Sequence, residues 1–175
     1  MTPRLPPVPY EDWPAGALTT PDGRKLPPSN ALGLFAHHPA LAKAFIRYND
    51  HLLIGCSLPT RDKELAILRV AWRRRCRYEW ASHVRFARKA GVTEEEITEV
   101  RVGARTLINR ATDELDGGRP LSDETYAELA KGYDERQLLD FVFTVGTYGL
   151  LALAFETFGV EIDPGRTDEN FDSIN

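Results

Sequence analysis

Cys76-Arg77-Tyr78-Glu79-Trp80-Ala81-Ser82-His83, running on through Val84-Arg85-Phe86-Ala87-Arg88-Lys89-Ala90-Gly91, is the stretch from which the rest of this chain is read. At about 100° per residue, Cys76, Glu79 and His83 fall close together on one face of a helix, and Phe86 and Ala90 continue the line. Trp80, Val84 and Ala87 lie beside it, while Arg77, Arg85, Arg88 and Lys89 fall on the opposite face. The spacing predicts an amphipathic helix over 77–90, stopped by Gly91. Its apolar side carries a carboxylate and an imidazole, and a thiol as well unless Cys76 lies just before the helix begins, as a small buried apolar residue. Buried titratable groups need partners or change protonation state, which is how acid–base sites are built.

Working outward, the same helical period recurs on both sides. Thr60 precedes a helix over 61–74 whose Leu65, Ile67, Leu68, Val70, Ala71 and Trp72 leave little polar surface, and Glu64 lies on it, twelve residues before Cys76. Upstream, Pro39 suits the first turn of a helix over 40–53 that Gly55 ends. Downstream, Thr93-Glu94-Glu95-Glu96 and Asp134-Glu135-Arg136-Gln137 are capping boxes. Between them lie helices over 106–115 and 122–130, the first stopped by Gly117-Gly118-Arg119-Pro120. The second box opens a long helix to Phe158, closed by Gly159. No alternating strand pattern of useful length occurs, so the expected fold class is all-α.

In that long helix Leu138, Phe141, Val145, Tyr148, Ala152 and Phe155 form one stripe, and Leu139, Val142, Phe143, Leu150, Leu151 and Leu153 fill much of the remaining surface. A helix apolar nearly all round must be buried on nearly all sides. One small domain can hardly enclose it, so subunit contacts are expected. The uncharged run is shorter than the roughly 20 apolar residues a bilayer span needs, and it holds Thr144, Gly146, Thr147 and Gly149, so no membrane association is expected.

The 175 residues suggest one domain with an arm: a Pro-rich segment 1–29, a helical domain 30–163 and a tail 164–175. Eight prolines in the first 28 residues disfavour regular structure, while Tyr10, Trp13, Leu18 and Leu26 give the arm something to bury. It is either a disordered tail or an extended arm lying on its own domain or a neighbouring subunit. A net charge of −4 argues against a general nucleic-acid binder, and the arginine run from Arg69 to Lys89 is balanced by Glu94, Glu95, Glu96 and Glu99. With two cysteines and no apolar leader, a reduced cytoplasmic setting is the expectation.

The combined pattern resembles the carboxymuconolactone decarboxylase and alkylhydroperoxidase D-like family. The matching segments are His38-Pro39-Ala40-Leu41, the run from Leu58-Pro59-Thr60-Arg61 through Asp62-Lys63-Glu64-Leu65 to Leu68, the Cys76-to-His83 octapeptide, and Ala90-Gly91-Val92-Thr93-Glu94-Glu95-Glu96-Ile97. Val145-Gly146-Thr147-Tyr148 also looks like the last helix of such proteins. The resemblance implies an all-helical subunit that assembles as trimers or hexamers, with its active site near subunit contacts. One branch, the hydroperoxidases, carries a Glu followed by Cys-x-x-Cys-x-x-x-His. Here Glu64, Cys76 and His83 match, but Glu79 stands where the second cysteine would be. A dithiol supplies reducing electrons through a disulfide, and one thiol cannot run that cycle locally. The decarboxylase branch keeps a Glu-x-x-x-His element, which Glu79 and His83 match.

The expected activity is therefore acid–base chemistry, decarboxylation or proton transfer, on a small carbonyl or lactone acid. The alternatives are a peroxiredoxin-type antioxidant protein using Cys76 and a non-catalytic helical assembly protein. In the first reading His83 delivers the proton, since histidine is the side chain whose unperturbed range lies near neutrality. Glu79 orients it or shares the transfer, and Glu64 sets the tautomer from the preceding helix. Arg61, Arg69 or Arg73 is expected to hold a substrate carboxylate, because guanidinium pairs with it bidentately. Tyr148 is core, with a chance of reaching the pocket. Cys, Glu and His can all ligate zinc, but this is not the spacing of a common zinc motif, so no metal and no cofactor is expected.

Overall fold

The computed structural model describes residues 2–20, 22–103 and 105–172. Among the described residues eight α-helices follow one another: α1 (Asn30–Phe35), α2 (Pro39–Asp50), α3 (Thr60–Arg73), α4 (Arg77–Lys89), α5 (Glu94–Val102), α6 (Leu107–Asp116), α7 (Asp123–Leu129) and α8 (Glu135–Phe158). Among the described residues there is no strand, only an isolated bridge between Thr19 and Lys25. The fold is all-α, as the helical periodicity predicts.

Local chemistry sets the boundaries. Thr93 and Asp134 form capping boxes with Glu96 and Gln137, satisfying backbone N–H groups at the starts of α5 and α8. Thr106 and Ser122 accept from the third residue of α6 and α7. Gly159 ends α8 in the left-handed region, φ 72°, a conformation that costs glycine nothing. Helix α2 does not stop at Asp50 but widens into a π-turn, His51–Gly55. The ammonium of buried Lys63 donates to the carbonyls of Leu52 and Leu53 there, at 3.2 and 2.9 Å. A lysine from α3 thus satisfies acceptors that an ordinary helix end would leave to water.

Three apolar clusters make the core. The largest joins α3, α6 and α8 through Ile67, Val70, Ala111, Phe141, Val145, Tyr148 and Phe155. A second packs Leu68, Trp80, Val84, Ile97 and Val100 against Phe171 of the tail. The third buries Trp13, Ala17 and Leu18 of the N-terminal segment against Ala36, Ala42 and Ile46. That segment crosses α1 where Val8 N–H donates to Gly33 O at 3.0 Å, and a Cβ at Gly33 would lie 2.6 Å from Pro7 Cβ. Glycine is what lets the two backbones approach there.

Burial divides the apolar surface of α8 into two parts. Leu151 is buried with the core stripe, whereas Leu139, Phe143, Leu150 and Leu153 are 60, 52, 60 and 53% exposed. Helix α8 is long and apolar enough to cross a membrane by length and composition alone, and 56% of its apolar window is buried inside the protein. It is the spine of the domain with one bare side.

Candidate active site

The site grows out of the turn between α3 and α4. Arg74 caps α3, Arg75 adopts φ 58°, and Cys76 N–H donates back to Ala71 O at 2.9 Å. This tight reversal folds α4 back along α3. Glu64, one turn into α3, then meets His83, two turns into α4, although 19 residues separate them.

His83 Nδ1 lies 2.7 Å from Glu64 Oε2, and Nε2 lies 3.4 Å from Glu79 Oε2 one turn earlier on α4. All three side chains are buried. The first distance is a good hydrogen bond; the second is a looser ion-pair contact. Tyr148 from α8 presents its ring edge-on to the imidazole at 4.9 Å, and Phe86 flanks it at 5.7 Å. The ring is therefore held in orientation by two carboxylates and two aromatic neighbours.

Electrostatics separate the roles of the two carboxylates. Burial pushes the Glu79 carboxyl up to about 7, partly offset by His83 and reinforced by the negative charge of Glu64. Glu79 can thus exchange a proton near neutral pH. Burial, with Glu79 and Glu64 nearby, keeps the Tyr148 phenol protonated well above its ordinary range.

A cavity of about 270 Å³ opens beside these groups. Glu79, Ser82, His83 and Tyr148 form its polar floor, with Phe35, Phe45, Phe86, Leu151 and Phe155 as apolar walls. Glu64 does not line it but stands behind His83. Glu79 and His83 both line it, and His83 Nδ1 is occupied by Glu64. Among the described residues, no group of three or more His, Cys, Asp or Glu is arranged to hold a metal ion.

The structure brings Glu64, Glu79, His83 and Tyr148 together and leaves three expected site residues elsewhere. Cys76 is the N-cap of α4, with extended backbone at φ −83° and ψ 93°. The 100° rule does not apply to a residue outside the helix, so its side chain leaves the Glu79–His83 line and joins the main core. Burial raises its thiol well above the ordinary range, and Glu79 and Glu156 push the same way. Arg61 pairs with Glu96 at the α5 N-terminus. Arg73 lies 2.7 Å from Asp116 and 3.2 Å from Asp113 on α6. Arg69, the third arginine considered, clamps Asp113 with Nε and Nη2 at 2.7 and 2.8 Å. These guanidiniums fasten α3 to α5 and α6, and none lines the cavity.

Sequence reasoning missed Arg166 and Asn49, which do line it, and set Arg85 on the opposite face of α4, whereas its guanidinium folds over the Phe86 ring at 4.3 Å and Arg85 also lines the cavity. Arg166 reaches α4 from the tail, its Nη1 donating to Ser82 Oγ at 2.9 Å across 84 residues of sequence. No short-range pattern carries that contact.

Comparisons with known proteins bear on the fold and on one segment of the chain. Residues 39–109 match the Carboxymuconolactone decarboxylase family. No curated protein matches the chain. Among solved structures, an uncharacterized peroxidase-related protein from Silicibacter sp. TM1040 superposes with a TM-score of 0.71 over 98% of this chain and 98% of that one, at 15% identity. At that identity the likeness concerns the all-α fold alone. The matched segment 39–109 contains Glu64, Glu79 and His83, so the site lies inside the part of the chain that is similar to the carboxymuconolactone decarboxylase family.

Proposed function

We propose that the protein is a small enzyme performing acid–base chemistry, decarboxylation or proton transfer, on a small carbonyl or lactone acid. The observation that carries this reading is the imidazole of His83 set between two buried carboxylates, one behind it and one facing the cavity. With Glu64 fixing a proton on Nδ1, Nε2 is free to take or give a proton at the cavity wall. Glu79, titrating near 7, serves as its partner. In proton abstraction, the C–H pair next to a carbonyl moves into the carbonyl and Nε2 or Glu79 receives the proton. In decarboxylation, the C–C pair moves into the carbonyl as CO₂ leaves, and the enolate carbon then takes a proton from the same groups.

The test is deuterium incorporation from solvent into a panel of keto acids and lactone acids, followed by NMR. Incorporation or CO₂ release that His83→Gln abolishes supports the proposal. If the wild type catalyses neither on any substrate of the panel, the non-catalytic assembly reading gains. A peroxiredoxin-type reading, which the solved neighbour's description as peroxidase-related invites, needs a reactive thiolate. The burial of Cys76 and the carboxylate at position 79 both argue against it.

We further propose a cytoplasmic homo-oligomer built on the bare side of α8, with no nucleic acid or membrane as partner. Leu139, Phe143, Gly146, Leu150 and Leu153 follow a 4-3-4-3 spacing, the 3.5-residue period of a helix–helix seam. The pattern is self-complementary about Gly146. A two-fold axis there sets Leu139 against Leu153 and Phe143 against Leu150 of a second copy, with Arg136 facing Glu156 at each end. A Cβ at Gly146 would meet nothing within this chain, so that glycine leaves room for a close helix crossing.

A further inference from the structure

Two cavities meet at one arginine. The inner one, about 270 Å³, holds Glu79 and His83. The outer one, about 430 Å³, is formed by the N-terminal segment and the tail, including Pro7, Tyr10, Trp13 and Pro164. Arg166 and Ser29 line both. The guanidinium therefore stands at the neck between them, with its side chain 25% exposed.

Its position is built rather than incidental. Nη1 donates to Ser82 Oγ at 2.9 Å and lies 2.8 Å from Asp163 Oδ2. Asp163 is itself anchored, accepting from Asn30 N–H at 2.6 Å and from the Tyr78 hydroxyl at 3.0 Å. Ser82 lies one residue before His83 on α4, so the guanidinium is tied to the helix that carries the imidazole. Among the described residues, Nε and Nη2 of Arg166 make no hydrogen bond. That unused edge has the two parallel N–H groups that match a carboxylate bidentately.

We propose that Arg166 is the substrate-anchoring residue, and that the ligand is a small monoanionic carboxylate with an apolar ring. The carboxylate sits on the Nε–Nη2 edge at the neck, and the ring enters the inner cavity among Phe35, Phe86 and Phe155 with its reacting carbon toward His83. This deepens the acid–base reading given above and rests on it for the identity of the reacting end. A chemical consequence follows. A charge-paired carboxylate is stabilised in place, so the group held by Arg166 survives the reaction, and of the two steps given above a monoacid bound this way undergoes proton transfer at a C–H next to a carbonyl, nearer Glu79 and His83.

The experiment is calorimetric titration of the full chain with benzoate and with benzamide, its neutral isostere, at pH 7. Benzoate is expected to bind at least tenfold more tightly than benzamide. Arg166→Gln is expected to remove that preference, and Arg166→Lys, which keeps the charge but not the fork, to retain part of it. Equal binding of acid and amide by the wild type, no binding of either, or an undiminished preference in both variants would overturn the proposal. Should Arg166→Gln fail to fold for want of its Asp163 pair, the wild-type comparison and Arg166→Lys still decide the matter. The result is separable from the catalytic reading. His83→Gln is expected to retain benzoate binding while losing deuterium incorporation, so either idea can fail alone.

Discussion

Nδ1 of His83 sits 2.7 Å from Oε2 of Glu64, a contact that ties α4 to α3 and leaves the other ring nitrogen to the cavity. If Glu64 fixes the tautomer, Glu64→Gln will lower turnover by on the order of 10²-fold or more without removing a group that touches substrate. His83→Gln, which removes the proton carrier, will cost about 10²–10⁴-fold. Steady-state rates of deuterium incorporation on one active acid check both, and equal rates for wild type and Glu64→Gln would exclude the positioning role.

Glu79 makes stability depend on pH in a defined direction. Its carboxyl is raised from an ordinary 4.5 to about 7, so the folded state favours the protonated form. That contribution is full below about pH 4.5 and is lost as pH rises through 7, where a bare carboxylate must stay buried. Glu79→Gln lacks the loss. Urea unfolding at pH 5 and pH 8 is expected to show the variant gaining on the wild type at the higher pH, by about 3 kcal/mol at most. An unchanged difference between the two pH values would mean that Glu79 is not desolvated.

The arginines of α3 are structural, and Arg69 most clearly. Its side chain is 5% exposed and it spans from Asp113 to the Val100 carbonyl. Asp113→Ala strands a buried guanidinium and is expected to destabilise by about 3 kcal/mol. Removing Asp22 from its exposed pair with Arg24 is expected to leave the melting temperature unchanged. Thermal melts of the two variants side by side test the contrast.

The seam on α8 makes its own forecast. Leu150→Arg places a charge one turn from Gly146, against Phe143 of the second copy in the proposed two-fold contact, and is expected to shift the protein toward monomer in light scattering after size exclusion, with its helical circular dichroism retained. A wild type that is monomeric at high micromolar concentration would remove this proposal.

Much of the fold was legible because helix signals are local. Capping boxes at Thr93 and Asp134 and the stop at Gly159 mark boundaries that the structure keeps. The pairing of Glu79 with His83 was readable because i and i+4 share a helix face, and Glu64 could be placed only through the resemblance. For Cys76 the two readings could not be separated on paper, because periodicity continues past the helix start; the chain at the N-cap is extended, so the reading that sets it before the helix, in the core, is the one that holds. Arg61 and Arg73 misled because a guanidinium pairs equally well with a substrate or with an acidic side chain. Asp113 and Asp116 on α6 take Arg73, and Glu96 takes Arg61. Arg166 was invisible, since its approach to Ser82 depends on how the tail folds back over α4.

The most direct test of the acid–base site is a carbon-13 titration of the Glu79 side-chain carboxyl, assigned by comparison with Glu79→Gln. A midpoint near 7, displaced when His83 is replaced by Gln, is the expected result. A midpoint at the ordinary carboxylate value, indifferent to His83, would contradict a shared proton between them and with it the proposed chemistry.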